Sequence, residues 1–523
     1  MAPYFDPGAV IAPSATEPQV TLTKAFASPF KGVVAAARTC YSGKGIITDD
    51  QIDLAPDGRD RAIAESIYAA GHHTTLQHAQ FQFAIGNVSR HFVWVFLHSH
   101  PFYNSEQVSQ RYVRLKREAV FVPPLNEAAR ERYLATVDLQ MEAYHSLRKA
   151  LFPAAQAEYF RLFPARAKQP DKYRRAIEKK AQEVARYVAP VGTLTYLYHT
   201  VSGITMLRYW RVCQVAGVPW EQQRVVEQMV QAVMEHDPGY EIILQEPLAP
   251  EDFAEFHWVN DQAPAPTFAT EFDTSLEGRV SRLVDYKANG EQVMAASVRE
   301  VLGRPTAALS DDEAIALALD PARNPIFGET LNLSTHAQLT RTLYHAAYTF
   351  RKKISHTADS QGQRHRMTPA SRPVLASQVG EQPDYITPAL IEQDQAARQV
   401  YSETMDRIWE ARAKLLKLGT PREFADYLLP NAVAVRFTES ADLLNLHHKM
   451  RMRLCYNAQE EIWRAAVDEA IQVSEVHPRI GKFLLPPCTQ RALAGRTPYC
   501  PEGDRYCGVP VWKLDLGEYE RLL

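Results

Sequence analysis

The stretch Ala185-Arg-Tyr-Val-Ala-Pro190 returns as Ala425-Asp-Tyr-Leu-Leu-Pro430, with Ala, Tyr and Pro in the same places. At the same spacing Trp220-Glu221-Gln222 faces Glu460-Glu461-Ile462, and Cys213 faces Arg453. Upstream, His78-Ala-Gln-Phe-Gln-Phe83 pairs with His345-Ala-Ala-Tyr-Thr-Phe350 at a larger offset, so one copy has gained or lost a loop. Several echoes in one order point to an internal duplication. A proline-dense break, Asp261-Gln-Ala-Pro-Ala-Pro-Thr267, falls near the middle of the 523 residues and reads as the linker. The expected domains are 1–262 and 268–523, the second ending in a cysteine-containing tail from about 486 to 523.

Each half has the same rhythm. Ala79–Gly86 alternates apolar and polar residues as a half-buried strand does, and Tyr348–Ile354 does so less cleanly. A long helical pattern follows, Asn126–Phe160 in one half and Ala389–Leu416 in the other. Two shorter helices close each copy: Thr200–Val215 with Trp220–Glu235, and Thr438–Leu454 with Asn457–Glu475. The expected fold class is mixed α/β, with long helices packed over a sheet in each half.

Composition sets the outer bounds. The chain carries 58 basic and 61 acidic residues, net −3, which argues against a general nucleic-acid coat while leaving room for a local basic pocket. Six cysteines are too sparse for a secreted disulfide scaffold. The first thirty residues lack the basic start and apolar core of a signal peptide, and no run approaches the roughly 18 apolar residues of a membrane helix. A cytoplasmic protein with no membrane or nucleic-acid partner is expected.

Three segments carry chemistry. Gln361-Gly-Gln-Arg-His-Arg366, with Ser371-Arg372 after it, places cationic forks in a turn leaving a strand, where they can converge on phosphate oxygens. The alternative is a solvated basic turn. Asn104-Ser-Glu-Gln-Val-Ser109-Gln-Arg111-Tyr112 offers a hydroxyl, backbone N–H groups and an arginine at Ser-x-Arg spacing, which suits a phosphate loop or equally a capped loop with Arg111 exposed. Gly71-His-His-Thr-Thr-Leu-Gln-His78 brings histidines before a strand, where they can touch an aromatic cofactor or pack on the sheet.

In this order, the pieces resemble a flavin-dependent thymidylate synthase in tandem duplicated form, two thymidylate-synthase-complementing-protein-like domains in one chain. That family carries Arg-His-Arg, seven residues, then Ser-x-Arg-Tyr, with a histidine segment upstream and a helix ending in Leu-Arg downstream. The halves match it unequally. In the first, His72, Thr74, Gln77 and His78 match the histidine segment, Ser109, Arg111 and Tyr112 the phosphate loop, and Arg186 a nucleotide-gripping arginine; the triplet is replaced by Leu97-His-Ser-His-Pro101 and the catalytic arginine by Cys213. In the second, Gln361, Arg364, His365 and Arg366 match the triplet region and Arg453, Gln459 and Glu461 the distal helices; the Ser-x-Arg loop is not recognisable, and Asp426 stands where Arg186 stands in the first.

The resemblance implies one composite site for dUMP. Ser109, Arg111, Arg186, Gln361 and Arg364 would bind the substrate, and Arg453 would be catalytic. His72, Thr74, His78, His365, Arg366 and Gln459 would meet FAD, with NADPH and methylenetetrahydrofolate as cosubstrates. Sites between subunits in the family imply a homodimer, a pseudo-tetramer of domains. The alternatives are a related enzyme acting on another pyrimidine nucleotide, or an inactive nucleotide-binding scaffold. Two positions where the family has Asn and Arg toward FAD read Ser202 and Ile204, and Asp442 and Leu444. Separately, Cys488, Cys500 and Cys507 cluster in the tail and suggest a structural zinc, with Cys455, His448 or His477 as a fourth ligand, or else three unrelated thiols.

Overall fold

The computed structural model describes residues 15–523 apart from 112, 216, 262 and 263. Tyr112, two linker residues and the first 14 residues therefore lie outside the described residues. The first half forms an antiparallel sheet of β1 (Gln19–Ala25), β2 (Gln80–Ser89), β3 (Tyr103–Gln107) and β4 (Leu194–Ser202), in the order β1-β2-β4-β3. The second forms β5 (Ser281–Tyr286), β6 (Ala347–Ser355) and β7 (Ala434–Asp442), in the order β5-β6-β7. In β2 the alternation does what it promises: Phe81, Phe83 and Ile85 are buried and Gln80 faces out. The strand shifts register between Ile85 and Val88, where Asn87 takes a positive φ of 54°, a conformation its short polar side chain tolerates.

Two expected helices begin differently. The residues from Thr200 and Thr438 are still strand, and the helices are Gly203–Arg211 and Leu443–Arg453. Alternation was blurred in β4 by exposed Tyr196 and Tyr198, and in β7 by buried Arg436 and Glu439. The pattern over 126–160 is two helices, Glu127–Ala150 and Phe152–Leu162, because Pro153 starts a fresh helix in its first turn. That over 389–416 splits into Ala389–Glu392 and Gln395–Lys417, the latter capped by Asp394, which accepts from Ala397 N at 2.8 Å.

The repeated stretches meet each other. Val191 N donates to Leu429 O at 2.8 Å, Asn431 N to Ala189 O at 2.7 Å and Gly192 N to Tyr427 O at 2.9 Å. A Cβ on Gly192 would stand 2.9 Å from that same carbonyl, so the backbones approach this closely only with glycine there. The Glu127–Ala150 and Gln395–Lys417 helices pack together, and one apolar core runs across both halves.

The seam is locked by two matching knots. Ser89 caps the Arg90–His98 helix and gives its N–H and O–H to Glu221 at 2.6 and 2.7 Å; Ser355 does the same to Glu461 at 2.5 and 2.6 Å. Each carboxylate takes a third donor from the opposite half, Tyr427 to Glu221 at 2.8 Å and Tyr187 to Glu461 at 2.5 Å. These reciprocal bonds define a pseudo-twofold axis, along which the rings of His91 and His356 lie 5.5 Å apart.

Candidate functional site: a cationic cleft between the halves

The short strand β3 delivers the turn of Ser109 and Arg111, and Arg111 N donates to Ser109 Oγ at 3.3 Å. Arg90 pins this turn, donating to Gln107 Oε1 at 2.8 Å and to the Val108 carbonyl. Arg186 follows the Pro170–Ala185 helix, is only 4% exposed, and leaves Nε and Nη2 without hydrogen-bond partners among the described residues.

The second half contributes the opposite wall. The expected turn leaving β6 is in fact preceded by a helical turn, His356–Asp359, capped by Ser355. The short turn Gly362–Arg364 then presents the triplet. Arg453 ends its helix and donates Nε to His365 Nε2 at 2.9 Å and Nη2 to the Gln361 carbonyl. His365 is thus an acceptor at Nε2, and burial, then the Arg453 charge, hold it well below the usual histidine range. Gln361 Nε2 donates to Gln459 Oε1 at 2.7 Å, and Gln459 donates to the Tyr187 hydroxyl, so this wall is braced by the seam knot.

The two walls touch where Arg111 Nη2 donates to the Asn457 carbonyl at 2.8 Å, just beyond Arg453. Burial, then the charges of Arg111 and Arg364, lower Arg453 to about 10. Burial also lowers Arg186, with Arg111 adding to it. One carboxylate, Glu183, lies 2.9 Å from Arg111. Burial pushes Glu183 up, but Arg111, Lys180, Arg186 and Arg521 outweigh it and hold it below the usual carboxylate range. So many cations around one anion make a place for a further dianion. A cavity of about 310 Å³ opens beside Arg111, lined also by Lys180, Glu183 and the tail residues Glu502, Asp504, Arg505, Glu520 and Arg521, whereas Ser109, Arg186, Gln361, Arg364 and Arg453 lie outside its lining.

The remaining expected residues are more widely spread, and His72 lines a separate cavity with Arg38, Tyr41 and Arg59. The histidine segment forms the turn His73–Gln77 before β2, with His72, Thr74 and His78 exposed. It sits at the end of the first sheet where Gln80 pairs with Ser202 and Tyr103 with Val201. Arg366 reaches the same rim from the second half, 3.3 Å from Asn104 Oδ1 and 5.2 Å from the Tyr103 ring. Arg364 pairs with exposed Glu106 at the surface, a contact readily exchanged for a ligand. Arg366 and the His100 imidazole beside Phe102 and Tyr103 are a donor set that fits FAD, an anionic pyrophosphate joined to flat rings. Gln459 is instead buried within the brace, and Arg372 is spent on Asp359 at 2.7 and 3.0 Å. Ser202 and Asp442 are the residues preceding their helices, Asp442 accepting from Asn445 N at 2.9 Å, while Ile204 and Leu444 are core.

The zinc expectation is corrected. Among the described residues no group of three or more His, Cys, Asp or Glu side chains is arranged to hold a metal ion. Burial, then the neighbouring thiols of Cys455, Cys507 and Cys500, push the Cys488 thiol up to about 12, and Cys507 Sγ donates to the Val509 carbonyl at 3.6 Å.

Across the pseudo-twofold axis the mirror position is different. Cys213 is fully buried and Asp426 takes Arg412 Nε at 2.6 Å. Arg436 is bound by Asp273 and Asp384 at 2.7 and 2.6 Å. A cavity of about 740 Å³ lies there, in whose lining Arg412 and Arg436 are matched by carboxylates and Arg422 donates to the Val259 and Asn260 carbonyls.

The family model of the thymidylate synthase complementing protein matches residues 21–239 and 282–479, most of each half. The chain belongs to that family. It is a tandem member, as two separate matched segments require. It is similar to the flavin-dependent thymidylate synthase of Clostridium tetani, 26% identical over 42% of this chain and 84% of that one. It is also similar to that of Geobacter sulfurreducens, 31% identical over 32% and 70%. Among solved structures, a UMP/dUMP methylase, PolB, from Streptomyces cacaoi matches at 23% identity over 45% of this chain and 98% of that one, with a TM-score of 0.30. Among the described residues no helix is long and apolar enough to cross a membrane. Arg90, Glu183, Lys180 and Arg521 escaped sequence reasoning: each lies outside the family's motifs, and only the fold brings them to the cleft.

Proposed function

We propose that this tandem family member converts dUMP to dTMP at one composite site per chain, with methylenetetrahydrofolate giving the carbon and NADPH the electrons. The observation that carries the reading is the approach of Arg111 from the first half, itself beside Arg186, to the second half, where it donates to Asn457 and with Arg364 depresses Arg453. Ser109, Arg111, Arg186 and Arg364 bind the phosphate. Arg453, held in a partly dried pocket by His365 and Gln361, faces the base and stabilises negative charge on the uracil ring. Gln361, braced by Gln459, orients the nucleotide. FAD, held by Arg366, His72, Thr74 and His78 at the sheet rim, supplies the hydride when bound. Two such chains form the homodimer, with 1–262 and 268–523 as the functional halves.

The test is dUMP-dependent NADPH oxidation with FAD and methylenetetrahydrofolate, together with calorimetry of dUMP. One nucleotide per chain is expected, with Arg111→Ala and Arg364→Ala each abolishing binding. Two nucleotides per chain would refute the composite reading; an unaltered Kd in either variant would do so as well.

A further inference from the structure

Residues 480–523 lie past the second matched segment. They nevertheless return to the cleft. Asn457 Nδ2 donates to the Arg505 carbonyl at 2.7 Å, and Tyr519 packs edge-on to Tyr456 at 5.8 Å, next to the loop that Arg111 holds. Arg521 follows. It is 9% exposed, its guanidinium lies over the Tyr456 and Trp463 rings at 5.9 and 5.4 Å, and it lines the 310 Å³ cavity together with Arg111. Its Nε donates to the Leu523 carbonyl at 2.7 Å, but Nη1 is buried without a hydrogen-bond partner among the described residues. Glu183 and Arg111 are among the charges it feels most strongly.

A buried guanidinium with an unmet donor is costly unless something completes it. Glu183 and Glu460 are the carboxylates it feels most, but Arg111, Lys180 and Arg186 share the first and Arg464 is paired with the second. Glu502, Asp504 and Glu520 also line the cavity, but they are exposed and screened by solvent. We infer that Arg521 is a further phosphate-binding residue, supplied by a tail outside the family's matched segments, and that the tail closes the phosphate end of the nucleotide pocket. This rests on the nucleotide reading above. It adds to it a residue that neither matched segment provides.

Calorimetry of dUMP with wild type, Arg521→Gln and Arg521→Lys tests it, beside melting midpoints without ligand. Loss of a charge-assisted bond weakens dUMP binding about tenfold or more in Arg521→Gln, while Arg521→Lys, keeping the charge, loses less. Unchanged affinity in Arg521→Gln overturns the inference; so does an equal loss in both variants with a matching fall in midpoint, the mark of ring packing alone. A wild-type crystal with dUMP decides independently of folding of the variants: a guanidinium nitrogen of Arg521 in hydrogen-bond contact with the phosphate supports the inference, and one beyond contact overturns it. If wild type binds no dUMP at all, the function proposed above fails, and this falls with it.

Discussion

Replacing Arg186 by methionine separates what this guanidinium costs the fold from what it gives a ligand. Two of its nitrogens are buried without partners, in a side chain 4% exposed. Each unmet donor costs about 1–3 kcal/mol. Methionine keeps most of the length and apolar contact, and the lost attraction to Glu183 returns part of the gain, leaving a net stabilisation of about 1–3 kcal/mol. The melting midpoint of the ligand-free variant therefore rises by a few degrees. Binding moves the other way. Losing one or two charge-assisted bonds weakens dUMP binding by about tenfold to a hundredfold. At a dUMP concentration one hundred times the wild-type Kd, ligand stabilises wild type by about 2.7 kcal/mol and a hundredfold weaker variant by only about 0.4 kcal/mol. Scanning calorimetry with and without dUMP reads both signs in one experiment. A lower midpoint in the ligand-free variant, or an undiminished shift on adding dUMP, would show that Arg186 is a structural residue.

Two further outcomes follow from the seam. Tyr187→Phe and Tyr427→Phe each remove one donor from a buried carboxylate and lower stability by about 1–3 kcal/mol, but only Tyr187→Phe also strips the acceptor from Gln459 and raises the KM for nucleotide; equal kinetics in the two variants would refute the brace. Burial raises the Glu221 carboxyl to about 7, so its protonation favours the folded state, fully below the unfolded value near 4.5 and progressively less as pH rises through 7. That is a difference of roughly 3 kcal/mol, so the stability of Glu221→Gln relative to wild type increases from pH 4.5 to pH 8, and a pH-independent difference in denaturant midpoints would contradict it.

Much of this organisation was legible in the residues. The echo of Ala185–Pro190 in Ala425–Pro430 marked the two stretches that lie against each other at the seam. The unequal losses point to a shared cleft, and Arg111 of the first half meets Asn457, beyond Arg453, of the second. Strand β7 was hidden because strands that bury Glu439 or Arg436 break alternation, and partners such as Lys352 and Asp273 lie far along the chain. Spacing brought out the tail thiols, which do neighbour one another and Cys455, but it does not say whether their geometry can hold a metal ion, and among the described residues none does. Arg521 was invisible for a related reason: no local pattern distinguishes a tail arginine that lies on two aromatic rings beside Arg111 from one that stays in water.

The contrast between the two cavities explains why duplication leads to asymmetry. A composite site needs the phosphate loop of one copy and the triplet of the other, so two identical copies yield two sites, each carrying buried cations that lack partners until a ligand arrives. Once the copies are fused, each half is free to keep one face only. At the mirror position the substitutions all reduce that cost. Cys213 removes a guanidinium and packs at zero exposure, and Asp426 turns a repulsive position into a pair with Arg412 at 2.6 Å. At the surviving cleft the opposite holds, since Arg186 and Arg521 keep unmet donors and Arg453 is lowered by its cationic neighbours. On the function proposed above, unmet donors at Arg186 and Arg521 beside the paired Asp426 and Arg412 are what is expected when selection for binding persists on one side and selection for stability alone acts on the other.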